Sequence, residues 1–121
     1  MEFDLTSSTD GDILVVVFAG RVSESNAVAM VKSYFELVQA SRPKKVLADT
    51  RSLHGGLSSG SVYFLVRNLP KPVPKAVKTA YLARGDQAGE AQFLETTAHN
   101  AGVELKAFVD REAALAWLRE A

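Results

Sequence analysis

Apolar and polar positions alternate from Glu2 to Thr6, the period of a half-buried strand. A β-branched apolar run, Ile13 to Ala19, comes after the Asp10-Gly11-Asp12 turn. The two segments read as an antiparallel hairpin with Asp-Gly turn chemistry, its second strand buried on both faces. Gly20 ends that strand, and Ser23 is placed to cap a helix with Glu24 in its first turn. Ala27, Val28, Val31, Tyr34, Phe35 and Val38 recur at three- and four-residue spacing, which predicts a helix from about Glu24 to Ala40. Pro43 enforces the exit, because the residue before a proline avoids the helical region.

Lys44 to Asp49 reads as a third strand that ends on Asp49, with a polar loop carrying Gly55 and Gly56 after it. Ser58 or Ser59 then caps a second helix whose apolar contacts come from Val62, Phe64, Leu65, Val66 and Leu69. The prolines from Pro70 to Pro74 make a stiff, extended connector. Lys75 to Ala83 is the next strand, and Arg84-Gly85-Asp86 is a turn. Ala88 to Ala101 is a helix with Ala91, Leu94, Ala98 and Ala101 along one face, closed by Gly102. Val103 to Val109 is the last strand. Asp110 caps a final helix that buries Ala114, Trp117 and Leu118, with Glu112 in its first turn.

The resulting order, ββαβαβαβα, belongs to the α/β class. It predicts a mixed sheet of five strands, an N-terminal hairpin plus three crossover-linked parallel strands, with four helices. At 121 residues the chain is long enough for one domain with a real core, so a single domain over residues 1–121 is expected. Fourteen basic residues balance fourteen acidic ones, and the pI of about 6.7 is close to neutral. That lacks the electrostatic footprint of a nucleic-acid binder, and the local lysines (Lys44, Lys45, Lys71, Lys75, Lys78) read as solvated charges at strand and turn edges. With no cysteine, disulfides, thiolate metal sites and thiol catalysis are excluded together. The acidic, polar N-terminus is no signal peptide, and Ile13 to Ala19 is far short of the roughly 20 residues that span a bilayer. A cytoplasmic, soluble domain is the expectation.

Ligands and partners of open α/β sheets are met beyond the carboxyl ends of strands. Here that ground holds Asp49, Arg51, His54, Ser58 and Ser59 after the third strand, with Arg84 and Asp86 after the fourth. These residues form a candidate binding rim. Asp49 can be satisfied by loop amides or by Arg51, and His54 by local loop hydrogen bonds. Two isolated histidines, His54 and His99, lack paired-ligand spacing, so no metal is expected. Arg84-Gly85-Asp86-Gln87 has neither dinucleotide-loop nor P-loop spacing, and no cofactor is expected. Gly56-Leu57-Ser58-Ser59-Gly60 satisfies the G-x-S-x-G pattern of a nucleophile elbow. That motif needs a strand running directly into the serine and a base after it, and the only later histidine is His99, in mid-helix. No nucleophile, base and orienter can be assembled, so an enzyme is not expected.

The element order, with Asp49 closing a central strand and Leu57-Ser58-Ser59-Gly60 opening the next helix, resembles the STAS domains, whose founding members are anti-sigma factor antagonists. In that family the segment reads Asp-Ser-Ser-Gly, and its first serine is phosphorylated by a partner kinase that is also the anti-sigma factor. The resemblance implies Ser58 as the phosphorylated position, with Leu57 standing where the family has its acid. The C-terminal part looks like the SpoIIAA-like branch, which shares Phe93-Leu94-Glu95-Thr96, Asn100-Ala101-Gly102, Phe108 and Ala114-Leu115-Ala116-Trp117-Leu118. The resemblance further implies a non-enzymatic, regulatory protein-interaction domain, with a kinase or an anti-sigma-like regulator as partner. The alternative is a carrier or sensor of an apolar, lipid-like small ligand. That branch is kin to lipid-carrying domains, and Tyr34, Phe35, Tyr63, Phe64 and Phe93 with Leu57 and Leu65 would line a gap against the sheet.

Overall fold

In the computed structural model, which describes residues 3–55, 77–100 and 102–120, five strands form one sheet in sequential order. β1 (Phe3–Asp10) and β2 (Ile13–Val22) are antiparallel, joined by Gly11-Asp12. Gly11 takes φ 64, the left-handed value a two-residue hairpin loop demands of its first position. After α1 (Ala27–Ser41) come β3 (Lys45–Gly55) and β4 (Lys78–Leu82). A 3-10 turn at Gly85–Gln87 leads into α2 (Ala88–Asn100), then β5 (Leu105–Phe108) and α3 (Arg111–Arg119). β2 runs parallel to β3, β3 to β4 and β4 to β5, so the parallel set has four strands because the hairpin's second strand joins it. Three α-helices lie among the described residues. The helix expected after Ser58 and the proline connector lie outside them.

Both faces of this sheet are packed, as a parallel core requires. On one face Leu14, Val16, Phe18, Val46 and Ala48 meet Ala27, Met30 and Val38 of α1. On the other, Ile13, Val15, Leu47, Ala80 and Leu82 meet Ala114, Leu115 and Leu118 of α3. Alternate residues of one strand thus serve two separate clusters, which is why β2 reads as an unbroken apolar run. The stripe on α1 differs from expectation: Met30 is buried and Val28 is 60% exposed. The helix also starts later than expected, at Ala27. Residues 23–26 form a turn in which Asn26 Oδ1 accepts the Ser23 N–H at 2.8 Å and Asn26 Nδ2 donates to the Arg21 carbonyl at 3.0 Å. Ser23 therefore does not cap the helix by its side chain, and Asn26 latches the strand exit instead. At the far end Arg42 takes φ 49 just before Pro43, its N–H bonded to the Val38 carbonyl at 2.8 Å.

The caps predicted at the C-terminal half are present. Asp110 accepts from the Ala113 N–H at 3.1 Å. Gly102 takes φ 81, its N–H meets the His99 carbonyl, and the Val103 N–H meets the Ala98 carbonyl, a Schellman closure of α2. On α2 the buried positions are Ala91, Thr97 and Ala98. Glu95 of the same helix accepts the Ala107 N–H of edge strand β5 at 2.7 Å, which occupies a donor that an edge leaves open. Lys78 Nζ lies 4.3 Å from the Trp117 ring centroid and donates to the Trp117 carbonyl. Lys45 lies 3.7 Å from Asp12. Both lysines have local partners.

A candidate interaction rim at the strand carboxyl ends

The third strand does not end on Asp49. It runs to Gly55, and Arg51 and His54 lie in it rather than in a loop. β4 is the strand that stops, at the Asp49–Leu82 pair, after which β3 pairs, among the described residues, only with β2, through Ala19–Ser52, Gly20–Leu53, Arg21–His54 and Val22–Gly55. Between Val17–Asp49 and Ala19–Ser52, β2 advances two residues while β3 advances three. This one-residue bulge reverses the alternation of β3 beyond it. Leu53 consequently lands in the same cluster as Val46 and Ala48, and is 7% exposed.

At the point of divergence Thr50 is buried, its hydroxyl donating to the Leu82 carbonyl at 2.8 Å. Asp49 and Arg51 form a two-pronged pair, Nε to Oδ1 at 3.0 Å and Nη2 to Oδ2 at 2.9 Å. Asp49 Oδ1 also accepts the Arg51 N–H at 3.1 Å. Burial pushes the Asp49 carboxyl up, but the hydrogen bonds and charge of Arg51, helped by the charge of Arg111, outweigh it and hold the group below the usual carboxylate range. The Asp49 hydrogen bond in turn raises the Arg51 guanidinium.

The two halves of the expected rim meet through Arg84. Its Nη1 donates to the Arg51 carbonyl at 2.7 Å and the Leu53 carbonyl at 2.9 Å, and its Nε meets Asp86 Oδ1 at 3.2 Å. Sequence reading grouped Arg84 with the rim but had no signal for what it holds, since its partners are backbone atoms 31 and 33 residues away. His54 is exposed, two residues past the bulge's first regular pair. Ser58 and Ser59 lie outside the described residues, as do Leu57, Tyr63, Phe64 and Leu65 of the expected apolar gap. Tyr34 packs with Phe18 and Phe35 at ring-centroid distances of 5.5 and 5.4 Å. Burial, only partly opposed by a hydrogen bond with Thr79, pushes the Tyr34 hydroxyl up to about 12.

Two of the three large apolar residues exposed among those described belong to this end of the molecule. Val28 sits in the first turn of α1, which comes after β2, and Val109 (57% exposed) directly succeeds β5. His99 does not belong here. α2 carries the chain back from the carboxyl end of β4 to the amino end of β5, so His99 lies about 20 Å from the rim along the helix axis. Among the described residues no cluster of metal-ligating side chains occurs, and no helix is long and apolar enough to cross a membrane.

No protein-family model matches the sequence, and no curated protein is recognisably similar to it. The fold is similar to that of an anti-sigma factor antagonist from Mycobacterium paratuberculosis, with a TM-score of 0.66 over 98% of this chain and 95% of that one. The two are 16% identical in sequence. The likeness is therefore one of fold, and it bears out the expected mixed sheet, an antiparallel hairpin feeding parallel strands.

Proposed function

We propose that this chain is a non-enzymatic regulatory domain that binds another protein at the carboxyl ends of its parallel strands. The observation that carries this is the whole-chain likeness in fold to a protein named for opposing an anti-sigma factor, itself a protein. The rim supports it physically. It combines a fixed charge pair, Asp49–Arg51, with exposed apolar residues on either side, Val28 and Val109. Apolar anchors beside oriented polar groups are what a protein partner recognises. The partner is an anti-sigma-like regulator or its kinase, and Ser58 is the position at which phosphate controls docking. Ser58 follows the last residue of β3, Gly55, by three positions in the sequence. A phosphate there adds about two negative charges beside the rim, enough to repel a partner that accepts the unmodified surface.

Affinity capture tests this with wild type, Ser58→Ala and Ser58→Glu as baits, alongside phosphopeptide mass spectrometry of the chain from its native cell. The expected result is a partner retained by wild type and Ser58→Ala, at least tenfold depleted with Ser58→Glu, and phosphate found on Ser58. Identical capture by all three baits, with Ser58 always bare, overturns the phosphate control.

A further inference from the structure

We infer that Arg84 is the positioning residue of this rim, a guanidinium that stands in for the strand β4 ceases to provide. Past the Asp49–Leu82 pair, the β4 side of β3 has no neighbouring strand among the described residues. The bulge turns the carbonyls of Arg51 and Leu53, two residues apart, toward that vacated side. The Leu53 carbonyl would otherwise be an unmet acceptor at a partly buried edge, and the exposed Arg51 carbonyl would turn to water. Arg84 is the second residue after β4, in extended backbone at φ −73 and ψ 155, and its side chain reaches the vacated side of β3. One nitrogen, Nη1, takes both carbonyls, while Nε is turned to Asp86. The planar fork holds three acceptors in fixed relation, a geometry that the shorter, strongly hydrated ammonium of lysine does not reproduce.

The consequence is mechanical. Arg84 ties the departure of β4 to the course of residues 51–53, and so ties one half of the rim to the other. Asp86 adds little energy, being 72% exposed, but it orients the guanidinium. Thr50, bonded to the Leu82 carbonyl, anchors the root of the same divergence. The part of this inference that concerns docking rests on the function proposed above; the clamp itself does not.

Hydrogen exchange read peptide by peptide separates the two. In Arg84→Ala the amides of residues 51–55 are expected to exchange at least tenfold faster, while those of residues 46–48 keep wild-type protection. Arg84→Lys, which retains the charge, is expected to show the same local acceleration, and it decides the matter should Arg84→Ala be globally destabilised. Wild-type protection at 51–55 in Arg84→Lys overturns the clamp. Capture of the wild-type partner by the same two variants reads the docking part: depletion supports it. Undiminished capture with accelerated local exchange leaves the clamp standing and removes the rim as the docking surface.

Discussion

Asp49 is 13% exposed on its side chain and lies under the electrostatic influence of two guanidinium groups, Arg51 and Arg111. Folding lowers its pKa, so its stabilising contribution is present above the ordinary carboxylate range. That contribution disappears as pH falls through the depressed folded value. Asp49→Asn is accordingly expected to lower stability at pH 7 by less than about 1 kcal/mol, because Arg51 is 44% exposed and water screens the pair. The gap to wild type should close as urea-unfolding titrations are taken from pH 7 to below pH 3. A gap independent of pH would assign the effect to something other than the carboxylate charge. The Asp49–Arg51 pairing was legible in the sequence only as one of two ways to satisfy Asp49, the other being loop amides, because side chains two residues apart are within reach of each other. The bonds of Arg84 were not, because a guanidinium seeking main-chain carbonyls leaves no mark on residue type.

At the scale of elements, the central difference concerns β3. Its amino half is announced by the apolar run Val46-Leu47-Ala48, and polar residues after Asp49 suggest a loop. The strand nevertheless continues, because β2 also continues through Gly20-Arg21-Val22 and offers a ladder, and because Leu53 finds an apolar site. A loop leucine would cost well under about 1 kcal/mol on truncation. A buried one belongs to another range, so Leu53→Ala is expected to cost about 2–4 kcal/mol in urea denaturation. A loss below about 0.5 kcal/mol would mean that the extension is not packed as described. Bulges escape a reading by period because they break the period at one residue and restore it on the opposite face. Turn and cap signals act locally: Gly11, Gly102 and Asp110 each do what their residue type demands, whereas the cap expected at Ser23 gives way to the turn that Asn26 holds.

For the whole molecule, the sheet is a partition between two clusters, and α3 alone among the described helices supplies the buried residues that complete the second. Leu118 is fully buried there, so Leu118→Ala is expected to cost about 3 kcal/mol. Trp117, the only tryptophan, packs beside it and against Phe108 at 5.7 Å. Its fluorescence and the far-ultraviolet circular dichroism should therefore unfold together. Separated midpoints would show that α3 detaches while the rest of the sheet persists.

By itself the sequence determined the class and the order of the described elements, the hairpin turn, the two-faced burial of β2 and the caps of α2 and α3. Each of these depends on neighbours a few residues apart, where propensity, period and backbone sterics act directly. Only the tertiary structure decided that β3 outruns β4, that the bulge carries Leu53 into the core, and that Arg84 bridges the gap. Those outcomes depend on which strand edges run out of partners, and that is settled by pairing between residues more than 30 positions apart.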